Sequence, residues 1–202
     1  MAKPGERKLR ILQALAAMLE TPKGEKITTA ALAARLDCSE AALYRHFASK
    51  AQMYEGLIEF IESSLFSVIN QIAAEEAQGM QQVEHILALL LRFAQRNRGM
   101  TRVLIGEALV NEHERLQLRI NQLLDRIEAT LKQALRIAAT QSQIPEDANF
   151  SVLANLLLCH ALGRWQQYAK SGFTREPLAN WQQQWPMLYA ACVNQSAQSC
   201  QA

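Results

Sequence analysis

The residues of this chain whose types and spacing could do chemistry gather between positions 28 and 50: Thr28, Thr29, Ser39, Glu40, Ala41, Tyr44, Arg45 and Lys50. Hydroxyls at the start of a short apolar-patterned segment either cap a helix or clamp a phosphate against its N-terminus, and both roles can hold at once. Tyr44 lies just outside the apolar positions Leu43 and Phe47, where it is either a half-buried ring or a phosphate contact. Lys50 stands at the start of a long helical pattern, where a cation is unfavourable and therefore hints at an external anion. Arg45 is a base or phosphate candidate, and Glu40 could accept from cytosine N4, while Ala41 offers only apolar contact to thymine methyls. Arg7, Lys8 and Arg10 suit phosphates better than bases. Cys159-His160 invites a nucleophile or metal reading, but the pair sits in an apolar stretch with no acid nearby. With no Gly-rich phosphate loop and no paired carboxylates, the chain is expected to bind rather than catalyse, with no cofactor or metal.

The elements that must position these groups read as helices throughout. Residues 6–20 carry Ile11, Leu12, Leu15, Met18 and Leu19 on one stripe, and Pro22 and Gly24 stop that helix. A short helix runs from Thr28/Thr29 to Leu36. After a break at Asp37-Cys38, where Asp37 must tolerate a left-handed backbone, Ser39 caps a second short helix. A long helix follows over 50–77, then helices at 81–97, 101–110, 112–139, 146–171 and 178–194, with a Gln/Ser-rich tail. Asn97 and Gly99 read as a C-cap, Pro145 as a first helical residue, and Glu128/Lys132 as a pair one turn apart. No segment alternates with period two, so the fold class is all-α: a three-helix head at 1–50 with a helix-turn-helix, and a helical-bundle body at 51–202.

Charge is uneven. Residues 1–50 hold nine Lys/Arg against five acids, a balance of +4, and the remainder of the chain balances at −2. A basic head on a near-neutral body suits a polyanion at one end, although a solvated basic terminus gives the same count. Four dispersed cysteines without a C-x-x-C pair, no signal-like segment and no apolar run of membrane length place the chain in the cytoplasm as reduced thiols, with no membrane span.

The run ITTAALAARLDCSEAALYRHFASKAQM resembles the DNA-binding signature of TetR-type regulators: a Thr before Leu32-Ala33, Ser39 after the turn, then Leu43-Tyr44-x-His46-Phe47-x-x-Lys50. Asp37-Cys38 departs from the usual Gly-Val. The resemblance implies a DNA-binding head, with Tyr44 and Lys50 on phosphates, and a body whose last two helices dimerise. In the body, RFAQRNRGMTRVLIGEALV and RLQLRINQLLDRIEATLKQ are similar to the SlmA-type nucleoid occlusion factors. That family implies palindromic chromosomal sites, one or more dimers per site, a nucleoid-associated location, and antagonism of the division protein FtsZ.

The resemblance also implies a groove for the FtsZ tail. Phe60, Leu89 and Phe93 would hold apolar side chains, while Arg92, Arg96 and Asn97 meet polar and acidic ones. Arg92 and Val68 depart from the family pattern, where Gly and Arg are expected. The bland alternative is that basic residues at 92–98 simply suit a helix C-terminus. Leu153, Leu156, Leu157, Trp165 and Trp185 are expected to form a core or the dimer interface, the latter favoured. Two other functions fit the same head: a repressor released by a small inducer, and a structural DNA-bridging dimer.

Overall fold

The computed structural model describes residues 4–21 and 27–194. Among these the chain forms α1 (Pro4–Met18), α2 (Thr29–Arg35), α3 (Glu40–Tyr44), α4 (Lys50–Glu75), α5 (Gly79–Arg96), α6 (Arg98–Leu104), α7 (Arg115–Thr140), α8 (Phe150–Lys170) and α9 (Trp181–Val193), with one 3-10 turn at Glu107–Leu109. The fold is all-α, as the periodicity requires. The expected stop at Pro22-Gly24 and nearly all of the Gln/Ser tail lie outside the described residues.

Helix ends in the head follow from side-chain capping. Thr28 Oγ1 accepts from the Ala31 N–H at 3.1 Å, and Ser39 Oγ accepts from the Ala42 N–H at 3.2 Å. Between them Cys38 N–H reaches Ala33 O at 3.0 Å and Asp37 N–H reaches Ala34 O at 3.2 Å, the bond pair of a Schellman turn. Asp37 takes the left-handed conformation that turn demands, with φ 50°. Ser49 and Gln52 start α4 reciprocally: Gln52 N–H donates to Ser49 Oγ at 3.2 Å, and Ala48 N–H donates to Gln52 Oε1 at 2.8 Å.

The chain divides into two compact units. One comprises Met1–Ser63 and Arg96–Asn121, the other Ser64–Gln95 and Gln122–Ala202. In the first, Leu15, Leu32, Leu43, Met53 and Leu57 are buried to 1% exposure or less. Two contacts fix α6 against the end of α1. A Cβ on Gly99 would lie 1.9 Å from Ala16 O, so only glycine allows this approach. Arg102 donates to Leu19 O at 3.1 Å and Thr21 O at 2.6 Å while its other face holds Glu107 Oε1 at 2.5 Å.

In the second unit, buried Trp165 donates its indole N–H to Leu90 O at 3.0 Å, and Tyr168 donates its hydroxyl to Gln95 O at 3.1 Å. Both bonds tie α8 to α5. Gly79 meets α7 backbone to backbone, where a Cβ would fall 2.2 Å from Ala138 N. Arg164 gathers the carbonyls of Glu176, Pro177 and Ala179, fixing the loop before α9.

Several local expectations are corrected. Asn97 and Gly99 do not cap α5; they open α6, and Gly99 is required by its contact with α1. Gly79 begins α5 rather than preceding it. The expected helix at 101–110 ends at Leu104. Pro145 sits in a turn, and α8 is capped by Asn149, whose Oδ1 accepts from the Val152 N–H at 3.2 Å. Glu128 and Lys132 turn to α8 instead of each other, bonding Asn155 and Ser151. By length and mean hydropathy (1.3) α4 could cross a bilayer, which the sequence reading had excluded. Met53, Leu57, Ile58, Ile61, Leu65 and Ile69 on one side of α4 are wholly buried, while Phe60 and Val68 stay exposed on the other, so α4 is two-sided.

Candidate nucleic-acid interface

The short helices α2 and α3 pack through Leu32, Ala33 and Leu43, all at most 3% exposed, and Phe47 closes that core at 8%. What remains outside is polar. Ser39, Glu40, Ala41 and Arg45 are exposed, as is Tyr44 at 44%. Thr28 is exposed and Thr29 half-buried. The capping hydroxyls of Thr28 and Ser39 accept from backbone, and each still carries a proton to donate outward.

Three of the expected residues meet. Thr29 Oγ1 donates to Glu40 Oε2 at 2.5 Å, and Tyr44 donates its hydroxyl toward Thr29 Oγ1 at 3.5 Å. One oxygen of the exposed Glu40 carboxylate, Oε2, is therefore engaged within its own module by Thr29. Arg7 is exposed on α1, where it shares a cleft of about 110 Å³ with Arg10, Leu36, Cys38 and Ala42, so two guanidinium groups stand beside the turn. Lys8 lies over the Phe47 ring at 5.7 Å, packing rather than reaching.

Lys50 is the main departure. Its ammonium is bound by the Glu112 carboxylate, and it stands 5.6 Å from the centre of the Tyr54 ring. Burial and Glu112 together push the Tyr54 hydroxyl far above its ordinary pKa. Sequence reasoning missed Glu112 and Arg102. The bonds that give them their place, Glu112 to Lys50 and Arg102 to the end of α1, span 62 and 81–83 residues.

Of the residues expected to take a peptide, Leu89, Arg92, Phe93 and Arg96 share one face of α5 at three- and four-residue spacing, with Arg92 and Arg96 exposed and Leu89 and Phe93 half-buried. Phe60 on α4 is 37% exposed and Asn97 is half-buried. Phe60, Arg96 and Asn97 belong to the first compact unit; Leu89, Arg92 and Phe93 belong to the second.

The expected dimer set splits. Leu153, Leu157 and Trp165 are 0% exposed in the single chain, so they are core and have no surface to offer. Leu156 remains 44% exposed, and Trp185 is half-buried in a stack with Trp181 at 5.7 Å. Val152 at 54% and Met187 at 71% exposure extend the apolar surface of α8 and α9 beyond the expected residues. Among the described residues no group of His, Cys, Asp or Glu could hold a metal.

Residues 11–57 match the family described as bacterial regulatory proteins of the tetR family, and residues 77–193 match the SlmA-like form of the tetracyclin repressor-like C-terminal domain. The chain is 52% identical over 182 residues to the nucleoid occlusion factor SlmA of Idiomarina loihiensis, covering 90% of this chain and 93% of that one. It is also 52% identical to the SlmA of Shewanella pealeana, covering 89% and 91%. Among solved structures, a TetR transcription regulator from Haloarcula marismortui aligns with TM-score 0.79 at 16% identity, covering 93% of this chain and 98% of that one. The fatty acid degradation regulator FadR from Bacillus halodurans aligns with TM-score 0.78 at 12% identity, covering 93% and 97%, a likeness of fold alone. With half its residues shared along nine-tenths of its length, body included, the chain belongs to the SlmA nucleoid occlusion factors, built on the TetR-type helix-turn-helix scaffold.

Proposed function

We propose that this chain works by binding and not by catalysis: as a homodimer on palindromic chromosomal sites, in the cytoplasm at the nucleoid, it antagonises FtsZ assembly and keeps the septum off the DNA. The observation that carries this reading is the identity of about half the residues with SlmA proteins through the body as well as the head. In this reading residues 1–50 are the DNA-binding head and 51–202 the regulatory and dimerisation body. Arg7, Thr28, Ser39, Ala41, Tyr44, Arg45 and Lys50 meet DNA, with Thr29 and Glu40 holding them in place. Two heads read half-sites about one helical turn, roughly 34–36 Å, apart.

The face of the α5 helix that carries Leu89, Arg92, Phe93 and Arg96 takes the FtsZ tail. An apolar stripe flanked by guanidinium groups suits an extended peptide with apolar anchors and acids. Dimerisation uses α8 and α9 through Val152, Leu156 and Met187. Gly163 supports this surface: it is an exposed residue inside α8, and among the described residues no atom lies within 4 Å of where a Cβ would stand to explain its helix-weakening presence.

Sedimentation of polymerising FtsZ with the purified protein, with and without its cognate palindrome, tests the reading. Less pelleted polymer in the presence of both protein and DNA is expected. No DNA-dependent change overturns it.

A further inference from the structure

The contact between Lys50 and Glu112 assigns a task to a residue outside the helix-turn-helix. Lys50 is the first residue of the 26-residue α4, where the helix dipole disfavours a cation. A carboxylate 62 residues away offsets this, and the side chains are 22% and 14% exposed, so solvent screens the pair less than an open surface bridge. The position that would present a cation to a phosphate thus already holds an anion. We infer that Glu112 is an internal stand-in for a DNA phosphate, occupying Lys50 in the unbound protein and surrendering it when a duplex docks. The inference rests on the reading of the head as a DNA-binding module.

An ammonium has three donors, but sharing them between Glu112 and a phosphate would bring two anions together at close range. The exchange is therefore competitive: each phosphate bound through Lys50 leaves Glu112 without its cation. That carboxylate faces a cleft of about 220 Å³ lined also by Tyr54, Arg102, Glu107 and Asn111, open enough for water to solvate it once Lys50 departs. The loop that carries Glu112 is bonded on one side by Glu112 N–H to Leu109 O at 3.0 Å and on the other by Leu116 N–H to His113 O at 2.9 Å, and contains Asn111 at φ 66°. Loss of the Lys50 tie loosens this loop, so residues 110–114 register whether the head is occupied.

Because phosphate contacts carry no sequence information, a random-sequence duplex is a sufficient probe. Binding of the full chain and its variants is measured by fluorescence anisotropy from about 50 to about 200 mM salt. Glu112→Gln should bind roughly three- to tenfold tighter, the scale of one partly screened ion pair, with a log–log salt slope steeper by about one. In a Lys50→Met background the same substitution should have no effect. Glu112→Asp, which withdraws the carboxylate without removing charge, should give a smaller gain of the same sign, and guards against misfolding of the glutamine variant. Amide exchange at residues 110–114 of the wild type should accelerate when duplex is added. Unchanged or weaker binding by both Glu112 variants, or a gain that persists in the Lys50→Met background, overturns the inference and leaves the function standing. A wild type that binds no duplex removes both.

Discussion

Thr29 and Glu40 are joined across the two short helices of the head, hydroxyl to carboxylate at 2.5 Å, and the Tyr44 hydroxyl points at the same Thr29 oxygen. A carboxylate used in this way serves every DNA sequence alike. Glu40→Ala should therefore change affinity for specific and random duplexes by the same factor, within about threefold. A base reader would instead relax preference at one base pair by about 1–3 kcal/mol. Competition binding against a set of single-base variants of the operator separates the two, and a loss confined to one position would return Glu40 to base recognition.

Asp37 occupies a left-handed position that glycine fills without strain. Asp37→Gly should raise stability by about 0.5–1 kcal/mol, and Asp37→Val should lower it by about 1–2 kcal/mol, since a β-branched residue fits that region worst. Urea unfolding midpoints measure both. Equal midpoints for the two variants would mean the turn relaxes away from φ 50° at no cost.

The α8 residues expected at the dimer interface now make separable predictions. Leu156 is exposed, so Leu156→Glu should leave the monomer folded and shift the protein from dimer toward monomer by tenfold or more in dissociation constant, about 1.4 kcal/mol. Trp165 is buried and bonded to Leu90 O, so Trp165→Phe should cost about 1–3 kcal/mol of stability with the dimer constant unchanged. Analytical ultracentrifugation paired with thermal melts reads both quantities. Dissociation by Trp165→Phe without lost stability would contradict the burial.

His160 gives the protein a pH dependence. Burial, and then the neighbouring Arg164, lower its pKa below 6.5, and its Nε2 is buried without a hydrogen-bond partner among the described residues. A depressed histidine favours the folded state only while neutral. Its contribution is present above the unfolded value near 6.5 and is lost as pH falls below it, at up to about 1.4 kcal/mol per pH unit. Unfolding midpoints between about pH 7.5 and about pH 5.5 should fall more steeply for the wild type than for His160→Gln. Identical slopes would remove His160 from the account.

What could be read in the sequence was what local chemistry decides. Leu43 and Phe47 declare the inner face of the head by spacing, and Thr28 and Ser39 declare helix starts because their hydroxyls satisfy N–H groups two or three residues on. Asp37 was legible as a left-handed residue for the same reason. Hidden were features set by partners distant in the chain. Lys50 looked available because Glu112 is far away in sequence, and Trp165 looked like surface because the carbonyl it serves belongs to Leu90. Gly99 passed for a helix stop because nothing in its own neighbourhood announces α1. Of the candidate interface, the residue identities were readable; the links among Thr29, Glu40 and Tyr44 required coordinates.

Gly99 and Ala16 touch through main chain, with no side chain interposed to yield. A side-chain contact between helices can absorb a small displacement by changing rotamer; this one has no rotamer to change. The joint between α1 and α6 therefore has little give under compression, and the Arg102 bonds to Leu19 O and Thr21 O oppose sliding along it.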